Sequence, residues 1–186
     1  STQGYSSAAS DVYKRQVEGS TKNSGTVGTF HMYAGAISDN TAYNSKGNSG
    51  GAGVYVGEGA AFYLHDGSIS GNRVLKSAGS SSGGGVYVGS KGTFVFEKGS
   101  VSYNYADNGG GIFVDTDGVF TMASGIIGGS AEDAANTAKF GGGVYTKGDC
   151  TLSGDAAVSG NEAISSGEIT NKDGHGGGVY LSLIHI

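Results

Sequence analysis

The hydrophobic positions of this chain recur in a short pattern that is repeated along most of its length. Val, Ile and aromatic residues alternate at a period of two, and no long stretch shows the helical period. The copies align on an aliphatic residue that follows a run of small residues, as in GGGVYV: Val54, Val86, Ile112, Val144 and Val179. Their successive spacings are 32, 26, 32 and 35 residues. Such spacings are typical of solenoids, propellers and other repeat arrays.

Two further tracks follow each aligned aliphatic residue. The second track holds Phe30, Phe62, Phe94, Phe120 and then Cys150. The third track reads G-x-(I/V)-x-x-N and is weakened in the fourth copy, where Ser130 takes the Asn position. Three short strands separated by glycine turns fit one coil of a parallel β-helix, whereas a propeller blade needs four strands and hairpin signals. We therefore predict an all-β, single-stranded parallel β-helix, a solenoid of about five coils with three short strands per coil.

Alternation within the first strand decides which side chains face inward. We expect two aliphatic residues per strand, such as Val54 and Val56, to point inward and the ring between them to point outward. The predicted outward row is Tyr55, Tyr87, Phe113, Tyr145 and Tyr180. Exposed rings can contact a glycan or another chain, or they can stack on each other and stiffen the coil. Both interpretations stay open from the sequence, and stacking within the coil is the one we favour.

The turn after the third strand is where equivalent Asn residues would meet. Stacked coils lie about 4.8 Å apart, so an Asn at this turn can bond both its own backbone and the next coil. We predict a structural asparagine ladder of Asn40, Asn72, Asn104 and Asn161. The segments that follow it, 41–50, 73–82, 105–108, 131–140 and 162–175, are expected to be mostly irregular loops that leave from one corner.

One charged cluster is a candidate for chemistry. Counting from the aligned aliphatic residue places Asp115 beside Lys147, and Asp117 lies in the same turn. Carboxylates of this kind can bind calcium or serve in catalysis, but a solvated Lys and Asp pair is the interpretation that we favour. The histidines lie in different coils without a second ligand at metal spacing. We therefore predict no catalytic residues, no metal site and no cofactor.

The composition and charge of the chain limit the classes of binding partner. The 186 residues include 38 glycines, no proline and one cysteine, with a formal net charge of −5. A negative chain without a Lys and Arg cluster argues against nucleic acid. Cys150 permits no internal disulfide and is predicted to be a small core residue in the slot of the second-track Phe.

The two ends of the chain differ in origin from the repeats. One codon choice for LSLIHI at residues 181–186 has a reverse complement that encodes DVYKRQ, which stands at residues 11–16. Residues 1–16 and 181–186 therefore resemble translated sequencing-adaptor DNA, and we assign residues 17–180 as the β-helix repeat fragment. On this interpretation the fragment is interior to a longer protein, so a missing signal peptide says nothing about compartment. We expect no membrane insertion of this segment, and strand edges open to end-to-end self-association of the isolated fragment.

The units GGGVYV, GTFVF and GSVSYN resemble the right-handed parallel β-helix repeats of bacterial surface proteins, including the adhesin-like kind. Together with ISDNTA, they are similar to the short GGA(I/L/V) and FxxN repeats of chlamydial polymorphic outer-membrane proteins. The resemblance covers about residues 26–180 and implies a right-handed solenoid, secreted or attached to the cell surface. It implies an adhesin or stalk that contacts host or matrix glycans or proteins, with no catalytic residues to carry over.

The sequence is therefore consistent with three functions. The leading hypothesis is a noncatalytic extracellular β-helix of a bacterial surface protein that contacts glycans or other partners. The second is a β-helix polysaccharide lyase or hydrolase that uses Asp115, Asp117 and Lys147. The third is a purely structural spacer.

Overall fold

A computed structural model describes residues 15–17, 28–44, 49–76, 79–130, 134–164 and 174–182 of the chain. These residues form a parallel β-solenoid of about four turns, slightly fewer than the five coils expected from the sequence. Every strand pair is parallel, and each strand pairs with its equivalent in the next coil. The all-β fold predicted from the repeat is confirmed.

The first ladder contains the aligned aliphatic residues and has six strands in one sheet. In sheet order these strands are β1 (Arg15–Val17), β6 (Val54–Val56), β11 (Val86–Val88), β14 (Ile112–Val114), β17 (Val144–Thr146) and β20 (Val179–Leu181). The register aligns Val54 with Val86 and Val86 with Ile112, as the sequence repeat requires.

The second and third tracks form one continuous sheet because two long strands span both of them. The shorter strands of the second track are β2 (Thr29–Met32), β7 (Ala61–Leu64) and β12 (Thr93–Phe96), and those of the third are β3 (Ala36–Ser38), β8 (Ser68–Ser70) and β13 (Ser100–Ser102). The long strands are β15 (Val119–Gly128) and β18 (Asp149–Ser159). Their mutual register shifts between Met122 and Ser124, where β18 is one residue longer.

The corner segments are more ordered than the sequence predicts. They contribute three further pairs: β4 (Thr41–Asn44) with β9 (Arg73–Lys76), β5 (Ser49–Gly50) with β10 (Ser81–Ser82), and β16 (Thr137–Ala138) with β19 (Glu162–Ala163). Single bridges continue these ladders through Tyr105 and Asn108. The expectation that these segments are mostly irregular is therefore wrong where these strands and bridges form. Backbone groups there find partners in the neighbouring coil, as buried backbone must.

The core confirms the predicted register of the first strand. Val54, Val56, Val86 and Val88 are fully buried, while Tyr55 and Tyr87 between them are half-buried. The second-track rings Phe62, Phe94 and Phe120 are also fully buried and stack with centroids 5.0 and 5.3 Å apart. Cys150 pairs with Phe120 and packs against this core, as predicted, and burial raises the pKa of its thiol.

The glycine run has a defined task in the first turn. Gly83 has φ of +62°, a left-handed conformation that side chains rarely adopt. Two residues later, a Cβ on Gly85 would lie 2.7 Å from the carbonyl oxygen of Gly111 and 3.0 Å from Nδ2 of Asn104. The run therefore makes the turn and brings the backbone against the Asn residues of the corner.

An asparagine ladder lies at that corner, and it includes one residue that the repeat alignment missed. Its members are Asn40, Asn72, Asn104, Asn136 and Asn161, of which the first four are buried. Asn72 donates from its backbone N and from Nδ2 to Oδ1 of Asn104, both at 3.0 Å. Asn104 bonds Asn136 in the same way, so Asn161 follows Asn136 rather than Asn104.

The alignment had placed Ser130 at the fourth rung of the ladder, and the structure corrects this. Ser130 is exposed, because an insertion after β15 delays the turn. The remaining members, Asn40, Asn72, Asn104 and Asn161, all lie in the ladder as predicted.

Parts of the adaptor-like segments lie within the described residues. Arg15 and Gln16 pair with Val54 and Tyr55, and β20 ends at Leu181, whose side chain is 71% exposed. A free sheet edge accepts any backbone, so the assignment of residues 1–16 and 181–186 stays a prediction. Among the described residues, no helix has the length and apolar character needed to span a bilayer.

Candidate functional site

The aromatic row predicted from the first ladder is present, and its rings stack on each other. Consecutive ring centroids are 5.0, 5.1, 5.0 and 4.9 Å apart from Tyr55 to Tyr180. The planes of Tyr55 and Tyr87 differ by 5°, and those of Tyr145 and Tyr180 by 31°. Each inner ring therefore has a neighbour on both faces, and only its edges are left for other contacts.

The corner segments lie against this row. Phe113 is only 3% exposed although its strand position points away from the core. A Cβ on Gly50 would overlap the ring of Tyr87, and Phe140 contacts Tyr180 with centroids 5.4 Å apart. The row is therefore a second packed layer, and the stacked arrangement agrees with the structural interpretation of these rings.

Asp115 and Lys147 lie side by side, as the repeat count predicts. Lys147 Nζ is 3.2 Å from Asp115 Oδ1, and the Tyr87 hydroxyl donates to Asp115 Oδ2 at 2.9 Å. Burial alone would raise the pKa of Asp115, but bonds from the Thr116 amide, Tyr87 and Lys147 outweigh it and lower this pKa. The pKa of Tyr87 is raised, first by burial and then by its bond to Asp115. Both groups are thus held in their ordinary charge states at neutral pH.

Asp117 does not join this pair. Asp117 is exposed and has a left-handed backbone with φ of +60°. Its carbonyl oxygen accepts a hydrogen bond from the backbone amide of Lys91 in the preceding coil. The next coil has a turn two residues shorter, so Val119 pairs with Asp149. The three residues of the predicted cluster therefore do not converge on one point.

A small cavity joins the aromatic row to the Asp115 and Lys147 pair. Its volume is about 220 Å³, and its lining includes Tyr87, Phe113, Tyr145, Asp115 and Lys147. Tyr55, Tyr180 and Asp117 do not line it. Sites for drug-sized ligands usually measure roughly 300–1,000 Å³, so this cavity suits a few waters or one small group.

A chain of titratable side chains on the second track was missed by sequence reasoning. His31 Nδ1 lies 2.9 Å from His65 Nε2, and His65 Nδ1 lies 2.7 Å from Glu97 Oε2. These residues are 34 and 32 positions apart, about one coil each, which was the available signal. The nitrogens are engaged with each other rather than directed at a common point. No group of three or more metal-binding side chains forms within the described ranges.

A larger cavity lies at the Asn corner, away from both predicted sites. Its volume is about 520 Å³, and among the predicted residues only Asn104 lines it. Its other lining residues lie on the corner ladder or just before the ladder Asn: Asp39, Thr41, Gly71, Arg73, Tyr103, Tyr105, Ala135, Thr137 and Ile164. Sequence reasoning missed this cavity because it treated the corner segments as irregular.

The fold defines the chain as a parallel β-solenoid repeat protein. No family model, no curated protein and no solved structure matches it.

Proposed function

We propose that this chain is a noncatalytic rod from an extracellular bacterial surface protein, with an adhesin-like role. Its partners would be host or matrix glycans or proteins, which contact side chains displayed on the outside of the coils. The repeat motifs that resemble bacterial surface proteins support the location and the role.

The single observation that carries the proposal is that repeated side chains bond to their own copies. Asn bonds Asn in the ladder, and ring stacks on ring in the first-ladder row. Such pairs stabilise the stack of coils and hold its outer surface in a fixed geometry. A rigid scaffold of this kind is suited to presenting loops and corner residues to a partner.

The charge state of Asp115 argues against general-base catalysis at the one cluster considered for it. Asp115 already accepts three hydrogen bonds, and its pKa is lowered rather than raised towards neutrality. A general base works best when its pKa is close to the working pH. Asp115 is therefore poorly suited to act as the general base that the enzyme hypothesis requires.

The test of this choice is a turnover assay on acidic and neutral polysaccharides, with reducing ends and unsaturated products measured. We expect no product from the unaltered protein and none from the Asp115→Ala and Asp117→Ala variants. Turnover that depends on either carboxylate would overturn the noncatalytic assignment and establish the lyase or hydrolase.

A glycan array separates an adhesin from a structural spacer. We expect the unaltered chain to bind at least one class of glycan, and we expect Tyr87→Phe and Tyr145→Phe to bind it equally because these ring faces are already stacked. If the array gives no signal and matrix proteins also show no binding to the chain, the structural spacer is favoured.

A further inference from the structure

The corner cavity has the form of a groove that runs across four coils. Its floor is the ladder Thr41, Arg73, Tyr105 and Thr137, in which each residue pairs with the next. With coils about 4.8 Å apart, this floor is roughly 14 Å long. The wall is formed by the residues that precede the ladder Asn, namely Asp39, Gly71, Tyr103 and Ala135. These rows differ from the asparagine and aromatic rows in that no residue type recurs in adjacent coils.

Arg73 occupies the middle of the floor with unused hydrogen-bond donors. Its guanidinium carbon lies 5.8 Å from the centroid of the Tyr105 ring, which fixes the side chain by a cation–π contact. Within the described part of the chain it forms no ion pair, and its side chain donates no hydrogen bond. A guanidinium has five N–H donors in a planar fork, a geometry that matches a carboxylate.

The wall is open beside Arg73 and carries an aromatic ring one coil further on. Gly71 has no side chain, and a Cβ there would overlap the carboxylate of Asp39. Tyr103 is 59% exposed, and its ring makes no stacking contact with another described residue. Its φ is +60°, where the neighbouring coil has Gly71 at +67°. A bulky residue kept in this unfavourable conformation is a pointer to function.

The charges select the kind of ligand. Among the described residues that line the groove, Arg73 is the only cation and Asp39 the only anion. Thr41, Thr137 and the two Tyr hydroxyls add neutral polar groups. A polyanion would meet Asp39 as well as a chain with a net charge of −5. The Asp and Glu side chains of an acidic peptide have no flat apolar face for Tyr103. A pyranose ring offers such a face, and its hydroxyls donate to a carboxylate such as Asp39.

We propose that the groove binds an oligosaccharide that carries a single carboxylate, with the carboxylate on Arg73 and a sugar ring on Tyr103. This site rests on the proposed adhesin-like function and names its ligand class. The carboxylate can belong to a sialic acid or to a uronic acid, since both carry a carboxylate on a pyranose ring.

The experiment measures the binding of four probes to the full chain by isothermal titration calorimetry. These are 3′-sialyllactose, lactose, glucuronosyl-xylobiose and xylobiose. We expect one acidic sugar of the two pairs to bind at one site per chain, and its neutral counterpart to bind at least about 10-fold more weakly. The pair that shows the difference identifies the source of the acid.

Variants place the site on the molecule. Arg73→Gln is expected to lower the affinity for the acidic probe by about 10-fold or more, because the cation is lost. Arg73→Lys keeps the charge and is expected to lower this affinity by less, since a single ammonium does not reproduce the two parallel bonds of a guanidinium to a carboxylate. Tyr103→Gly is expected to weaken both acidic and neutral probes. Lys98→Gln is the matched control, since it removes a cation that is already paired with Asp66 at 2.8 Å, and it should leave binding unchanged. Thermal unfolding of each variant checks that the fold is intact.

Four outcomes would overturn the proposed sugar site in the groove. Equal affinity for acidic and neutral sugars removes the role of Arg73, and binding that survives Arg73→Gln and Tyr103→Gly places the ligand elsewhere. A short polyglutamate that competes with the sugar at equal strength shows that the site recognises acidic peptides. If these probes fail while the glycan array gives a signal, the groove is wrong and the adhesin-like function stands. Turnover of a polysaccharide would instead overturn the function itself.

Discussion

The first-ladder row and the corner groove both carry tyrosines, and they use them in opposite ways. In the row, the Tyr87 ring has stacked neighbours at 5.0 and 5.1 Å, and its hydroxyl bonds Asp115. In the groove, Tyr103 is exposed and Arg73 lies near the Tyr105 ring, and within the described ranges the Tyr103 ring has no stacked neighbour and the Arg73 donors have no acceptor. The row is built from five aromatic residues at equivalent positions, whereas the groove is built from residues that change at every coil.

The difference follows from how a solenoid stacks. A residue that repeats at each coil meets its own copy about 4.8 Å away, so its bonding capacity is used inside the stack. A residue that occurs once has no such copy, and its groups stay available unless a neighbour satisfies them. In this protein, repetition therefore marks structural residues, and the exceptions within a row mark the candidates for binding.

The largest loss of stability is expected in the asparagine ladder, where the repeated side chains are buried. Asn104→Ala removes the oxygen that accepts both the backbone and side-chain N–H groups of Asn72, inside a corner without access to water. The Asn72 backbone N–H loses this acceptor, and the Ile69 carbonyl and Asn136 Oδ1 lose the Asn104 Nδ2 donor, whereas Asn72 Nδ2 keeps the Ile37 and Ser70 carbonyls. A buried polar group that loses its partner costs about 1–3 kcal/mol, so we expect about 3–5 kcal/mol of lost stability. Urea denaturation followed by circular dichroism measures it. Asn108→Ala is the control, since Asn108 lies outside the ladder and its side chain donates a long 3.4 Å bond to the Ser82 hydroxyl. The loss of stability in this variant should be under about 1 kcal/mol.

The glycine run gives the next largest effect. Gly85→Ala forces a methyl group against the Gly111 carbonyl and Asn104, both parts of the packed corner, and we expect a loss of about 3 kcal/mol. Gly178 holds the equivalent position in the last copy, where a Cβ would meet only Val158 Cγ1 at 3.7 Å. Gly178→Ala should therefore be close to neutral in the same denaturation experiment. Equal losses at the two positions would show that local backbone freedom, rather than the close approach, explains the motif.

The two tyrosines themselves give a direct comparison. Tyr87→Ala removes two stacked pairs, each with about 0.5–1.5 kcal/mol, and we expect about 2 kcal/mol of destabilisation. Tyr103→Ala removes an exposed ring and should change stability by less than about 0.5 kcal/mol. Similar losses in thermal and urea unfolding would mean that Tyr103 is structural, which contradicts the contrast between row and groove.

The pH dependence of stability tests the contribution of Asp115, which is paired with Lys147. The folded pKa of Asp115 lies below its unfolded value of about 3.9, so this residue contributes stability that is present above about pH 4 and is lost as the pH falls through the folded value. We expect the stability difference between the unaltered chain and Asp115→Asn to be constant from about pH 5 to 7 and to shrink below about pH 4. Urea unfolding at a series of pH values measures it. A difference that instead grows on acidification would contradict the direction of the shift.

The smallest effect on stability concerns Tyr103→Gly. Glycine removes the strain of the left-handed backbone at this position, but it also increases the conformational entropy of the unfolded chain. The free energy of unfolding should therefore stay level or rise by up to about 1 kcal/mol. Differential scanning calorimetry detects a shift of this size. A clear loss of stability would show that the ring packs against the corner and is not held there for a ligand.

The described residues show why some parts of this structure were predictable and others were not. The inward Val pairs, the outward rings and the contact of Asp115 with Lys147 follow from counting, because parallel stacking carries a fixed register from one coil to the next. Asn136 was equally within reach, since it stands 32 residues after Asn104, but the insertion after β15 hid it behind Ser130. The groove was not within reach, because its residues share no pattern and come together only when the corner segments pair.

The sequence by itself determined the parallel β-solenoid, the residues that face its core and the existence of an asparagine ladder, because each depends on the period of the repeat. The tertiary structure decided which outward groups are already engaged: the ring row is packed under the corner segments, while Arg73 and Tyr103 face an open groove. Period determines register, but the availability of a side chain depends on what the intervening segments cover, and that is a property of the folded chain alone.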